Sequence, residues 1–319
     1  MILSRVADGL YWMGRYLERA ENTVRLLLVA EELSTEVFGL DEDLARSEWH
    51  DLGEIFPGPA LSERATRHVA GLAALSLQAL TFSADHPNSV YFSLKRARDN
   101  ARGVREALTV EVFVNLNETY RELEEAAKRR LVDTPTFRNA LGGTHRGILA
   151  TVGSIEHTLT RQPGWLFLRL GESMERLYRT AAVLRAKLPA LIVPEPKVDL
   201  PLLHTRWRGL LRGLSCFEAF RQSYGARLEP LEVLHFLLFD GQAPRSLRYG
   251  TTAVKEYLDR LSAGGNPSAP ARLMGRLFAE LTYQSDEVIR GSRYIPFLEH
   301  VLEEVTKTHE ALSTQYFGT

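Results

Sequence analysis

Apolar residues recur along this chain at steps of three and four, and almost nowhere do they alternate at steps of two. The first spacing lines one stripe of an α-helix, whereas the second would mark a half-buried strand. From Leu10 the stripe runs through Met13, Leu17, Val24, Leu27 and Leu28, with Arg15, Arg19, Asn22 and Arg25 on other faces. The pattern predicts a long amphipathic helix that ends before Phe38 and Gly39. Further helices are expected at about 62–82, 89–108, 110–130, 135–159, 165–188, 201–223, 230–239, 246–262, 270–290 and 294–316. Breakers separate them: Pro57-Gly58-Pro59, His86-Pro87, Thr134-Pro135, Pro163-Gly164, Pro194 to Pro196, Ala243-Pro244 and Gly264 to Pro270. No Gly-rich turn follows an expected strand, which leaves a dinucleotide fold or a phosphate loop no place. The fold class is all-α.

Composition narrows the function classes. The 319 residues include 39 Lys+Arg against 40 Asp+Glu, so no overall field favours nucleic acid or an anionic membrane. Length and 45% hydrophobic content allow one large domain or two ordinary ones. The single cysteine, Cys216, excludes an internal disulfide and a multi-cysteine zinc site, and fits a reducing compartment. Arg5, Asp8 and Arg15 interrupt the N-terminal stretch before it reaches the length of an export signal. The most apolar windows, 26–30, 72–80 and 231–239, fall far short of the roughly 18–20 residues that span a bilayer. A soluble cytoplasmic protein is expected.

An internal repeat organises the chain. Gly14, Glu18, Arg19, Thr23 and Leu27 recur as Gly171, Glu175, Arg176, Thr180 and Leu184, each pair 157 positions apart. The same offset aligns Leu80, Phe82, Pro87 and Ser89 with Leu237, Phe239, Pro244 and Ser246, and with one residue of slippage Trp49-x-x-Leu52 with Trp207-x-x-Leu210. An offset kept across two separated segments argues for duplication, at a period too long for a solenoid unit. The expected architecture is a helical bundle built from two related multi-helix halves, 1–160 and 161–319, packed as one compact unit.

Two polar features stand out. Neighbouring helix residues point about 100° apart, so Glu18 and Arg19 do not pair with each other, nor do Glu175 and Arg176. Each must find partners elsewhere. Glu18, Glu21, Asn22 and Arg25 make one polar track, and Glu172, Glu175, Arg176 and Arg179 a similar one. Such residues either line a solvated face or form a buried network that fixes packing register. On the helix after Pro87, Arg98, Arg102 and Arg105 form a basic stripe beside Asp99 and Asn100, and Glu111 opens the next helix with Phe113, Asn117 and Tyr120, capped by Thr109. The stripe is either a solvated or salt-bridged face, or Arg98, Arg102 and Glu111 together hold a carboxylate or phosphate. The corresponding segment after Pro244 lacks the stripe, which makes such a site asymmetric.

Other chemistry is sparse. The nine histidines include no His-x-x-x-His pair, and neither a metal nor another cofactor is expected. GGTHRG at 142–147 reads as a phosphate nest or as a close helix approach or kink. Cys216 reads as a small buried residue.

The segments LYWMGRYLERAENTVRLL, HPNSVYFSLKRARDNARGVREALTVEVFVNLNETY, LTRQPGWLFLRLGESMERLYRTAAVLR, APRSLRYGTTAVKEYLDRL and THEALSTQYF, in that order over nearly the whole chain, resemble the bacterial Alpha-E family. The resemblance places its signature on Glu18-Arg19 and Glu175-Arg176, on Arg98, Asn100 and Arg102, and on Pro244-Arg245-Ser246. Departures are Glu172 in place of a basic residue, Tyr178 in place of an acidic one, and Phe113 where the pattern after Glu111 has Trp. The resemblance implies a partnership with a circularly permuted ATP-grasp-type ligase, and a neighbourhood that includes transglutaminase-like peptidases. Two functions follow as expectations. One is a non-catalytic partner that docks such a ligase and presents its peptide. The other is an enzyme modifying or cleaving a small peptide at a Glu18/Arg19, Arg98/Arg102 and Glu111 centre.

Overall fold

The computed structural model describes residues 2–37, 41–58, 68–129, 134–192, 200–262, 265–283 and 293–318, and all regular structure among them is helical. The turns expected at Phe38-Gly39 and Pro194–Pro196 lie outside these residues, as do the first part of the helix at 62–82 and the end of that at 270–290. The chain divides into two compact units, Met1–Glu172 and Ser173–Thr319.

In the first unit α1 (Ser4–Val37) is buried around most of its circumference, and α2 (Glu42–Ile55), α3 (Val69–Phe82), α4 (Val90–Gly103) and α6 (Thr134–Thr158) all pack on it. Two devices bring α4 and α1 together. Ser89 caps α4, its Oγ accepting the Phe92 N–H at 3.0 Å, so the helix starts at a fixed residue. Gly9 then lets α4 approach, since a β-carbon there would lie 2.7 Å from Val104 Cγ1. α5 (Val110–Lys128) pairs with α6. Thr109 is the N-cap residue of α5, but its hydroxyl does not cap; it meets Thr158 Oγ1 at 2.7 Å across the α5–α6 seam.

α7 (Pro163–Ile192) runs across the boundary between the units, and its first turns pack on α1 within the first unit. Pro163 is the first helical residue of α7 and does not break a helix, because its missing N–H is one that the first turn leaves unbonded anyway. At the crossing a β-carbon on Gly14 would sit 2.1 Å from the Leu168 carbonyl oxygen, and one on Gly171 would sit 2.0 Å from that of Tyr11. Only glycine permits backbones this close. Tyr11 and Leu168 are themselves 157 positions apart, as the two glycines are.

The second unit contains the rest of α7, then α8 (Leu200–Gly213), α9 (Phe217–Tyr224), α10 (Pro230–Phe239), α11 (Leu247–Leu261), α12 (Ala269–Tyr283) and α13 (Tyr294–Leu312), closed by a π turn at Ser313–Phe317. The single helix expected at 201–223 is two: Ser215 takes φ 53°, a left-handed conformation that ends α8, and Cys216 opens α9. Cys216 is buried, its thiol donating to the Leu214 carbonyl at 3.2 Å. Ser246 caps α11 by accepting the Tyr249 N–H at 3.0 Å and donates to the Asp240 carbonyl; 157 positions earlier Ser89 makes the same two bonds, to Phe92 and Ser83.

Candidate functional site

Glu18, at the middle of α1, is 5% exposed. Arg19 beside it is half-buried, with its guanidinium carbon 5.1 Å from the centre of the Tyr16 ring. One turn on, the Thr23 hydroxyl lies 2.9 Å from the Arg19 carbonyl and 3.1 Å from the Asn88 carbonyl, tying α1 to the turn before α4. Glu21 and Arg25 form a two-bonded fork, Nε to Oε1 at 3.1 Å and Nη2 to Oε2 at 2.9 Å, with side chains only 8% and 6% exposed. His145 of α6 brings Nε2 to the same Glu21 Oε1 at 3.1 Å, and further along the seam Arg138 grips Glu31 Oε2 through Nε and Nη2. Asn22 is 1% exposed, and among the described residues neither of its amide atoms has a hydrogen-bond partner.

The second Glu-Arg pair has comparable surroundings in its own unit. Glu175 is fully buried and accepts Arg179 Nε at 2.9 Å, one turn on; Arg176 is half-buried. Each unit buries a glutamate that an arginine four residues later neutralises, Glu21–Arg25 and Glu175–Arg179, at positions the 157-residue offset does not relate, since Asn22 follows Glu18 by four. Glu172 is compensated locally: Arg169 bonds it, and Arg169 also pairs with Glu156 at 3.2 Å.

The basic stripe on α4 separates into three different environments. Arg98 is half-buried, donates from Nε to Asn117 Oδ1 at 2.7 Å, and stacks its guanidinium 4.8 Å from the Tyr120 ring centre. Arg102 is exposed, and Arg105 folds over Phe113 at 4.7 Å while donating to the Leu108 carbonyl. Asn100 is half-buried, with its carbonyl closing the end of α4 on the Val104 N–H; Glu111 is exposed in the first turn of α5. Arg245 is half-buried in the turn before α11. Under Arg98, the Tyr91 and Tyr120 hydroxyls lie 3.1 Å apart and Tyr120 donates to Glu124 Oε1 at 2.9 Å. Burial, and then the bonds to Tyr91 and Glu124, push the Tyr120 phenol far above its ordinary pKa, so it stays protonated.

Several of these groups were not assigned from the sequence. His145 sits inside α6, so GGTHRG is no phosphate nest; a β-carbon on Gly147 would meet Thr119 Oγ1 at 2.2 Å, a close helix approach. The pairings Glu21–His145, Glu31–Arg138 and Arg98–Asn117 join residues on different helices, and no spacing announces them. Among the described residues no group of three or more His, Cys, Asp or Glu side chains could hold a metal ion.

Comparison with known families decides the relationship. The Alpha-E model, described as a predicted alpha-helical domain with a conserved ER motif, matches residues 2–317. The chain belongs to the Alpha-E family. Glu-Arg occurs in this Alpha-E chain at 18–19 and 175–176, and also at 63–64, which lies outside the described residues. Relatives include uncharacterised proteins of Mycobacterium bovis and Mycobacterium tuberculosis, each 27% identical over 289 residues, which are 87% of this chain and 32% of the relative. The Alpha-E chain therefore spans about a third of the length of the curated relatives it matches. No solved structure matches it. No helix among the described residues is long and apolar enough to cross a membrane.

Proposed function

We propose that this Alpha-E chain is a non-catalytic partner of an ATP-grasp-type peptide or amide ligase, docking the enzyme and presenting its peptide in the cytoplasm. The observation that carries the reading is its span in the mycobacterial relatives, where the homologous stretch is about a third of a longer chain. A module so placed works beside other material. The ligase, and a transglutaminase-like peptidase as a second partner, come from the family resemblance. The paired charges support the same reading. Glu21 is already bonded by Arg25 and His145, and Glu175 by Arg179, which suits groups that set the register of helices. The order of helices and the two serine caps, spaced by 157 residues, support descent of both units from one duplicated ancestor. The test is co-purification with an ATP-grasp ligase encoded beside it. Joint elution at micromolar concentration is the expected result; separate elution would remove the proposal.

A further inference from the structure

Arg98 differs from the other arginines of α4 in being held at Nε by a side chain of α5 while its terminal nitrogens make no hydrogen bond among the described residues. Its Nε is spent on Asn117 at 2.7 Å and its plane lies against Tyr120 at 4.8 Å. Tyr120 is in turn held by Tyr91 and Glu124, so the ring beneath the guanidinium cannot swing away. Among the described residues no carboxylate pairs with Arg98, and its two terminal nitrogens carry no hydrogen bond. Arg102, one turn further on the same face, is exposed and likewise carries neither a hydrogen bond nor an ion pair among the described residues. The terminal nitrogens of a guanidinium point forward in parallel, a spacing that matches the two oxygens of a carboxylate. A fork whose rotamers are already locked loses little entropy on binding.

We infer that Arg98, positioned by Asn117 and Tyr120 and assisted by Arg102, is a recognition site for the free carboxylate of a peptide. The site uses the four N–H donors of the two terminal nitrogens, and it needs no contribution from Glu111. The choice of a peptide carboxylate rests on the reading of the protein as a substrate-presenting partner, because a carboxylate is the group an amide ligase joins to an amine.

The experiment titrates the full-length protein with N-acetyl-tetra-alanine as the free acid, with the same peptide as its C-terminal amide, and with inorganic phosphate, following amide chemical shifts. The acid is expected to shift residues of α4 and α5 and to bind on the order of tenfold tighter than the amide. Arg98→Lys, which keeps the charge but loses the fork, should lose about tenfold in affinity for the acid. Asn117→Ala should shrink the preference for acid over amide without moving the thermal midpoint, an outcome a merely structural role would not give. Arg102→Gln should weaken binding less than Arg98→Lys does. Equal binding of acid and amide, or an unchanged Arg98→Lys, would overturn the inference, as would saturation by phosphate with none by the peptide acid. Co-elution of Arg98→Lys with the ligase separates the two proposals: docking that persists while peptide binding is lost leaves the partner reading standing.

Discussion

Arg25 and Glu21 illustrate how differently one chemical pair behaves in two places. Their side chains are 6% and 8% exposed, and removing the arginine leaves a nearly buried carboxylate that has lost its two-bonded partner, with His145 still beside it. Arg25→Ala should cost about 3–5 kcal/mol, read as a fall in the urea midpoint at constant slope. Lys128 makes a shorter contact with Glu125, at 2.7 Å, but both are solvated, so Lys128→Ala should leave the midpoint in place. Equal midpoints for the two variants would mean that the α1 seam is wet. His86 supplies a pH dependence. Its ring is buried against Gly58, and Nδ1 accepts the Asn88 N–H at 3.2 Å, which requires the neutral ring. Burial lowers its pKa below the ordinary 6.5, opposed by a backbone hydrogen bond. The unfolded chain therefore takes up this proton first as the pH falls. The stability His86 confers is present above about pH 6.5 and is lost as the pH drops through the folded-state value. His86→Gln should flatten stability between pH 7 and pH 5; an unchanged slope would place the dependence elsewhere.

At the scale of the element, two glycines in helices make opposite predictions. A β-carbon on Gly14 would press on the Leu168 carbonyl, part of a backbone that cannot rotate aside, whereas one on Gly53 of α2 meets nothing within 4 Å. Helix propensity favours alanine by up to about 1 kcal/mol at both sites, and overpacking costs about 1–3 kcal/mol at the first. Gly53→Ala should raise the melting temperature and Gly14→Ala should lower it. The helices themselves were legible because period and breakers are local, and Pro230, Ser89 and Ser246 mark starts that the structure reproduces. Two elements were not. α2 has the required stripe, Leu44, Ala45, Trp49, Leu52 and Ile55, but the buried Glu48 interrupts it and an apolar count passes over it. The break at Ser215 depends on a positive φ at a residue that does not demand one.

The whole molecule tests where a unit ends. The repeat points to a boundary at 160/161, while the first compact unit extends to Glu172 because Gly164, Leu168 and Gly171 cover Leu10, Tyr11 and Gly14 of α1. A fragment of residues 1–160 would expose that apolar face. It should give a poorly dispersed amide spectrum, and a fragment of residues 1–172 a better dispersed one; indistinguishable spectra would show that the α7 turns are dispensable.

What the sequence determined by itself is therefore the helical class, most helix limits, the 157-residue recurrence, and the identity of the polar residues worth following. The class and the limits are local, set by a 3.6-residue period, by caps and by prolines, and the recurrence is a comparison of the sequence with itself. Tertiary structure alone decided which charges are neutralised and which are open. Arg98 meets a residue 19 positions away, Arg138 one 107 away and His145 one 124 away. Those separations follow from which helices lie side by side, and helix pairing is fixed by close packing of apolar faces, which tolerates many sequences and so leaves no signature in any one of them.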